Sequence, residues 1–291
     1  MAARVAALTV LAMVAFAANS LLARLAIRDG LIDASSFTVI RLVSGALALW
    51  LLVRVRDGAR GDTGGTLAGA AALFVYAAAF SFAYLDLSAA MGALILFGAV
   101  QVTMISVGLA RGDRLSGRQW LGLAVALVGL VGLLSPGLSA PPVGAAALML
   151  VSGVAWGVYS LLGRGVHDPL AATAGNFVRA APASLGLLLV SASTLHGSGL
   201  GVAYAVASGV VASGVGYAIW YSALPALSAP VAGSVQLSVP VIAAAGGVLF
   251  LAEPVSFRLA FGGLAVLGGV AVVIVAPVLS QRRRDRQGAS Q

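Results

Sequence analysis

The chain has 291 residues, of which 60% are apolar and only 9% are charged, and its mean hydropathy is +1.05. A soluble protein of this size needs more polar surface, so the composition predicts an integral membrane protein. The formal net charge of +8 does not indicate nucleic-acid binding, because the arginines lie between apolar segments and at the C-terminus. With no cysteine and two histidines without metal-ligand spacing, we expect no disulfide, no metal and no cofactor.

Ten apolar segments of about 18 to 24 residues follow one another, each long enough to cross a bilayer as a helix. They cover residues 5–27, 34–54, 66–86, 88–110, 118–135, 142–163, 171–194, 200–222, 227–250 and 257–279. Backbone polar groups in lipid must be bonded internally, and these segments lack the alternation of barrel strands. The sequence therefore predicts an all-α protein with ten transmembrane helices. The first segment also resembles a signal peptide, but its recurrence in the second half favours a helix.

The second half of the sequence repeats the first at an offset of about 140 residues. Matched pairs include Leu87 with Leu227, Asp113 with Glu253, Ser116 with Ser256 and Arg118 with Arg258. An odd number of helices per unit inverts the second unit in the membrane, so we predict two inverted five-helix repeats around a central cavity. The predicted units are residues 1–138 and 139–280, with a basic cytoplasmic tail at 281–291.

The distribution of arginines predicts the orientation. With a cytoplasmic N-terminus, three arginines lie outside, namely Arg24, Arg28 and Arg258. Twelve lie inside: Arg4, Arg54, Arg56, Arg60, Arg111, Arg114, Arg118, Arg164, Arg282, Arg283, Arg284 and Arg286. Because cytoplasmic loops are enriched in basic residues, we predict that both termini are cytoplasmic.

Several local patterns predict how the helices begin, bend and pack. Glycine-rich faces in the fifth and tenth helices favour close helix packing. Ser116 with Gln119 predicts a capping box, and Ser256 predicts an N-cap. Pro240 lies inside the ninth predicted span, where proline removes a hydrogen bond, so it is a candidate hinge or a simple bend.

Polar and aromatic residues near the middle of the membrane are candidates for a substrate cavity. Such cavities have mostly apolar walls with a few polar groups, although an interfacial aromatic belt or ordinary core is the alternative. The candidates are Phe16, Asn19, Tyr76, Phe80, Tyr84, Phe97, Gln101, Trp156, Tyr159, Tyr217, Trp220, Tyr221 and Gln236.

Two arginines lie within predicted spans. Arg41 is about seven residues, or roughly 10 Å, inside the second helix, and Arg179 is about nine residues inside the seventh. An offset of 138 makes them equivalent in the two repeats. Intramembrane arginines indicate function, so both are candidates for binding a substrate carboxylate, with helix carbonyls or a water-filled vestibule as alternatives.

No acidic residue lies near the centre of a predicted span. Six are in predicted loops or the tail: Asp33, Asp57, Asp62, Asp113, Asp168 and Asp285. Asp29, Asp86 and Glu253 lie at span ends. Proton-coupled exporters of cationic drugs normally place a carboxylate at the centre, so the sequence argues against that coupling.

The doubled pattern resembles the EamA-type branch of the drug/metabolite transporter superfamily over residues 5–279. Each unit has an LSA-like start to its fourth helix and a turn into its fifth, GDRLSGRQWLG in one and AEPVSFRLAFG in the other. Val100 stands where the family often has proline, and Asp113 where it commonly has glutamate. Within that branch the aromatic cavity is similar to bacterial aromatic amino acid exporters. The resemblance implies a bacterial inner-membrane exporter of small metabolites.

The leading hypothesis is therefore export of amino acids, including aromatic ones, by alternating access. Efflux of drugs, nucleosides or other metabolites is the alternative. An intramembrane enzyme would need a nucleophile or metal cluster, and a channel would need a repeated polar stripe; the sequence supplies neither. We expect the partners to be a small-molecule substrate and the bilayer, with the protein functional as a monomer.

Overall fold

The computed structural model describes residues 2–58, 63–112, 115–135, 140–163, 166–223, 226–227 and 235–288. Of the residues singled out above, several lie outside the described part. They are Arg60, Asp62, Asp113, Arg114 and Arg164, together with the side chains of Tyr221 and of residues 274–288.

Ten long helices and no β-sheet make up the described residues, which confirms the all-α prediction. They are α1 (Ala2–Ile27), α2 (Ala34–Asp57), α3 (Leu67–Ala83), α4 (Ala89–Ala110), α5 (Gly117–Leu134), α6 (Val143–Leu162), α7 (Pro169–Val190), α8, α9 (Ser238–Leu251) and α10 (Phe257–Gly288). Helix α8 is continuous but has three parts. An α-helical start (Gly199–Ala207) and end (Gly216–Ala223) flank a π-helical segment (Ser208–Val215).

The protein is a multi-pass membrane protein. Six described helices are long and apolar enough to cross a bilayer: α1, α2, α4, α5, α6 and α8. Three shorter apolar helices lie at Leu67–Ala83, Ser238–Leu251 and Phe257–Val273. Large apolar side chains such as Leu51, Leu189 and Phe250 are exposed on the outer surface, where a soluble protein would place polar residues.

Helix packing is symmetric with respect to exchange of the two halves of the chain. Helix α2 packs against α7, α5 against α10, and α4 against α9. The other major pairs correspond across the two halves. Helix α3 packs on α6 and α7, as α8 packs on α1 and α2. Likewise, α4 packs on α6, as α9 packs on α1. The first and second halves are therefore interleaved.

Glycine allows α5 and α10 to approach closely, as the sequence predicted. A Cβ atom on Gly122 would lie 2.6 Å from the carbonyl oxygen of Gly269, and one on Gly129 would lie 2.7 Å from the Cβ of Ala265. Small residues let backbones come together in a membrane, where packing drives association.

Side-chain caps fix where several helices begin. The predicted capping box is present, since Ser116 accepts a hydrogen bond from the Gln119 amide and the Gln119 side chain accepts one from Ser116. Ser256 also caps α10 by accepting from the Leu259 amide at 3.1 Å. Each such bond satisfies an amide that has no partner inside the helix.

Caps also correct the register predicted between α2 and α7. Asp33 caps α2 by accepting from the Ser36 amide, and Asp168 caps α7 by accepting from the Ala171 amide. The two caps are 135 positions apart, so Arg41 corresponds to Asn176. The predicted equivalence of Arg41 with Arg179, at an offset of 138, differs by three residues from the register that the two caps set.

Pro240, the predicted hinge or bend, lies near the start of its helix and not in the middle. Pro240 lies in the first turn of α9, immediately after a turn at Leu237, where a missing amide proton costs little. Its role as a hinge stays a prediction. Pro182, which the sequence reasoning did not single out, lies inside α7.

Candidate functional site

An aromatic cluster joins both halves of the chain at the centre of the helices. Phe16 of α1 makes edge-to-face contacts with Trp156 of α6 and with Tyr217 and Trp220 of α8, at ring-centroid distances of 6.5, 5.7 and 6.0 Å. Trp156 also contacts Tyr76 of α3 at 4.8 Å. Such pairs contribute about 0.5–1.5 kcal/mol each beyond burial, so the cluster holds its rings in fixed orientations.

A narrow cleft opens within this cluster. Helices α1, α3, α4, α6 and α8 line it, so three helices of the first half and two of the second contribute. The lining residues are Phe16, Asn19, Ser20, Tyr76, Phe80, Leu96, Phe97, Trp156 and Tyr217. Seven of these were candidates from sequence, and the structure brings them together in one place.

The polar wall of the cleft is built around Asn19, which is 3% exposed. Its Oδ1 accepts from the Ser208 hydroxyl at 2.7 Å, and its Nδ2 donates to the Ser213 hydroxyl oxygen at 3.4 Å. Both serines lie in the π-helical segment. Residues five apart are about 140° apart around an α-helix, and the wider π turn brings them closer to one face.

Arg41 lies behind the cleft wall and is 1% exposed. Its Nη2 donates to the Tyr76 hydroxyl at 2.9 Å, and its Nε donates to the Ser213 hydroxyl oxygen at 3.4 Å. The guanidinium carbon is 5.1 Å from the centre of the Tyr76 ring and 4.9 Å from that of Phe80. The cation therefore touches two of the residues that line the cleft.

Close helix approach makes room for this arrangement. A Cβ on Gly209 of the π-helical segment would overlap the carbonyl oxygen of Arg41 and the hydroxyl of Ser44. A Cβ on Gly45 would lie 2.8 Å from the ring of Phe177. The two glycines thus bring α2, α7 and α8 together beside Arg41.

Other predicted site residues lie away from the cleft. Arg179 is exposed and donates to the Gly64 carbonyl at 2.6 Å, so the structure places it away from the cleft. Tyr84 is buried in the turn after α3 against Phe80, and Trp220 contacts Phe16 from behind the lining. Gln101 is buried in α4, and Gln236 is half-buried just before α9. The Tyr221 side chain lies outside the described part.

A second small pocket surrounds Tyr159 at one end of α6. Asn176, the counterpart of Arg41, lines it together with Thr66 and accepts from the Thr66 amide at 2.9 Å. Its Nδ2 donates to the Tyr159 hydroxyl at 3.5 Å. Asn176 was missed from sequence, and the spacing of the two aspartate caps could have found it.

Phe177, Ser208 and Ser213 were also missed. Phe177 is 1% exposed and contacts Tyr217 at 6.0 Å. A phenylalanine among apolar residues carries no signal of its own in a sequence. The serines are five apart, a spacing that α-helical periodicity does not place on one face.

Carboxylates lie at the two ends of the helices. The Arg56 guanidinium bonds Asp168 at the start of α7 and, despite partial burial, lowers the pKa of that carboxyl. At the opposite end, burial raises the pKa of Asp33, but hydrogen bonds from the Ser36 and His196 amides together lower it by more. The pKa of Asp33 is therefore below its usual range. Both carboxylates therefore stay charged at neutral pH.

The described residues contain no metal site, since no three His, Asp or Glu side chains among them lie close enough to hold an ion. The six acidic side chains that the structure describes lie at helix ends or in turns: Asp29, Asp33, Asp57, Asp86, Asp168 and Glu253. The cleft is therefore aromatic and polar, with a cation behind it.

Comparison with known proteins places this arrangement in context. The model of the EamA-like transporter family matches residues 144–275. An uncharacterized protein of Pseudomonas aeruginosa is 58% identical over 278 residues, which cover 96% of each chain. An uncharacterized transporter of Archaeoglobus fulgidus is 27% identical over 165 residues, covering 56% of this chain and 59% of that one. A solved crystal structure is similar in fold, with a TM-score of 0.66 at 20% identity over 92% of this chain and 97% of that chain.

Proposed function

This chain belongs to the EamA-like transporter family, and we propose that it exports small metabolites, amino acids including aromatic ones, across the bacterial inner membrane. Family membership assigns it to the transporters of small molecules and not to the enzymes. The substrate, the direction and the membrane are our proposal.

The observation that carries the proposal is the cleft formed by Phe16, Tyr76, Trp156 and Tyr217. Phe16 and Tyr217 are held edge to face, and Tyr76 and Trp156 are tilted by 45°, so the rings offer both faces and edges to a flat solute. Asn19 adds a polar group at the same wall. A solute with an aromatic or branched side chain and a polar backbone has complementary chemistry. The same rings would also stack a nucleobase or a flat drug, which is the competing substrate class.

Alternating access is supported by the symmetric packing of the helices. An odd number of helices per unit places equivalent helices in opposite directions across the membrane. Exchange of the two halves converts the α3–α6 pair into the α8–α1 pair, and these helices form the walls of the cleft. We infer that the halves are inverted repeats that rock about the cleft.

The proposed orientation has both termini in the cytoplasm. It leaves Arg24, Arg28 and Arg258 outside and the other arginines of the helix ends and connections inside, as the positive-inside rule favours. The end of the molecule that carries Arg24 and Glu253 then faces outward. The Arg56–Asp168 pair then faces the cytoplasm.

Transport assays test the proposal directly. Proteoliposomes loaded in turn with labelled phenylalanine, leucine or uridine should release the amino acids faster than protein-free liposomes do. Trp156→Ala should slow release by about tenfold, because the ring faces the cleft and contacts Tyr76. Trp120→Ala is the matched control, since Trp120 is 53% exposed on α5 and faces away from the helices.

Release of uridine alone would replace the amino acid assignment with nucleoside efflux. Equal release from wild type, Trp156→Ala and protein-free liposomes would contradict the proposed function.

A further inference from the structure

Arg41 differs from Arg24, a cation that is 13% exposed, in having no carboxylate partner among the described residues. Arg24 is paired with Glu253, its Nε 3.2 Å from Oε1. Within the described residues Arg41 has only hydroxyl and ring partners, and its Nη1 has no hydrogen-bond partner. A guanidinium is charged at any physiological pH, and an unneutralised buried charge is costly. Among the described residues, this interior cation thus has no counter-charge.

Distance excludes the described acids as partners. Asp33 caps the start of α2 and Asp57 is its last residue. Eight and sixteen residues separate them from Arg41, or roughly 12 and 24 Å of helix. Asp33 is also engaged, since it accepts from the Ser36 and His196 amides at 2.9 and 3.0 Å. The remaining described acids lie at helix ends or in turns, as noted above.

The location of the cation connects it to the cleft. Its guanidinium lies over Tyr76 and Phe80, which line the cleft, and shares Ser213 with Asn19, which lines it too. The Tyr76 hydroxyl accepts from Arg41, so its own proton can be donated elsewhere, and the described residues supply no acceptor for it. A positive charge and a polarised hydroxyl therefore converge on the wall.

We propose that Arg41, Tyr76 and Asn19 form an anion-binding subsite that holds the carboxylate of the transported solute. The Tyr76 hydroxyl donates to the carboxylate, and Arg41 supplies the compensating charge through its free Nη1 and its bond to that hydroxyl. Asn19 holds Ser213 in place for both. This rests on the proposed function for the presence of a solute, but it specifies the substrate class as carboxylic acids with an apolar body.

The energetic basis is mutual neutralisation. An anion in the cleft neutralises Arg41 and so removes the free-energy cost of a buried, isolated cation. The attraction to Arg41 in turn offsets the free energy that the anion loses on leaving water. Hydrogen bonds to charged groups contribute more than neutral ones in a site that excludes water. A neutral solute of the same shape leaves Arg41 unpaired. We therefore expect discrimination by charge and not by shape.

Binding can be measured apart from transport, because two of the four tryptophans belong to the aromatic cluster. Trp50 and Trp120 lie on the outer surface, so Trp50→Phe with Trp120→Phe leaves only Trp156 and Trp220 to report. Purified protein of this background in chloride-free buffer is titrated with 3-phenylpropionate and with 3-phenylpropan-1-ol, which share an apolar body and differ in charge.

The carboxylate should change the fluorescence saturably and bind at least about tenfold more tightly than the alcohol. Arg41→Gln should abolish that preference, and Arg41→Lys should retain part of it. Arg54→Gln removes one positive charge from the same helix far from the cleft and should leave the preference unchanged.

Three results would overturn the assignment: no saturable change with 3-phenylpropionate, equal affinity for the alcohol, or an undiminished preference in Arg41→Gln. Displacement of the carboxylate by millimolar sodium chloride alone would also overturn it, because the site would then serve a free inorganic anion. The carboxylate and the alcohol are also compared in the protein that keeps Arg41 and Tyr76. That comparison tests the proposal even if a variant fails to fold. Charge preference without amino acid release from proteoliposomes would leave the subsite in place and contradict the proposed function.

Discussion

Arg24 and Glu253, 229 positions apart in sequence, form an ion pair in which Nε of Arg24 lies 3.2 Å from Oε1 of Glu253. The same guanidinium donates to the carbonyl oxygens of Tyr84 and Leu85 at 2.9 Å, and the carboxylate accepts from the Ala89 amide at 2.9 Å. The pair therefore ties α1, the turn between α3 and α4, and the turn between α9 and α10 into one cluster.

Removing one member of this pair should destabilise the protein strongly. Glu253→Gln leaves Arg24, which is 13% exposed, without its counter-charge, and such losses cost about 3–5 kcal/mol. We expect a clear fall in the midpoint of thermal unfolding in detergent. Asp57→Asn is the control, because the Arg56–Asp57 pair is more than a third exposed on both sides and should change stability by less than about 1 kcal/mol. Equal effects of the two changes would contradict the structural role of Glu253.

Gly209 should be intolerant of even a methyl group. A Cβ there meets the backbone of Arg41, which cannot move without shifting α2, so Gly209→Ala should cost about 1–3 kcal/mol. It should also weaken any function that depends on Arg41. Gly186→Ala on α7 has nothing within 4 Å of the new Cβ and should be neutral or stabilising by up to about 1 kcal/mol. Unfolding midpoints of both variants in one detergent provide the comparison.

The positions of the helices could be predicted because apolar length is a direct physical requirement for crossing a bilayer. The predicted segment 88–110 lies within one residue of α4 at each end, and the Ser116 cap was visible as a local pattern. Part of the candidate cleft could also be predicted from the sequence. Phe16 and Trp156 are large aromatic residues at matching places in the two repeats, and they meet in the structure.

The rest depended on geometry that the sequence pattern does not carry. Arg41 and Arg179 look equivalent in sequence, but the caps Asp33 and Asp168 place one inward and the other outward. Similarly, the π-helical backbone conformation of Ser208–Val215 brings Ser213 within hydrogen-bonding distance of Arg41. Tertiary packing decides both features, so periodicity alone points elsewhere.

Site-directed labelling should establish the orientation. The chain has no native cysteine, so a single introduced thiol reports without background. Arg111→Cys, in the exposed turn after α4, should react with an impermeant maleimide only from the cytoplasmic side. Ser193→Cys, exposed after α7, should react only from outside. The reverse pattern at both sites would invert the proposed topology, and reaction of both from one side would contradict the described course of the helices.

Transport should not require a proton gradient. Coupling needs a group in the cavity whose protonation competes with substrate, and none of the residues that line the cleft is acidic. Of the acids described nearby, Asp86 is exposed in the turn after α3 and Glu253 is held by Arg24. Arg41 stays charged at every physiological pH, so it cannot exchange a proton for substrate. A zwitterionic amino acid that accumulates in the cytoplasm can leave down its own gradient.

Proteoliposomes loaded with phenylalanine should therefore show efflux at equal pH on both sides, and an ionophore that collapses the pH difference should leave the rate within about twofold, since no titrating group is engaged. Liposomes without protein give the passive leak that must be subtracted. Efflux that appears only with an imposed pH difference would contradict this prediction. Asp86→Asn would then be the first variant to measure, because Asp86 is an acid with exposed side-chain surface beside the end of α3, and loss of the dependence in that variant would identify it as the proton-binding group.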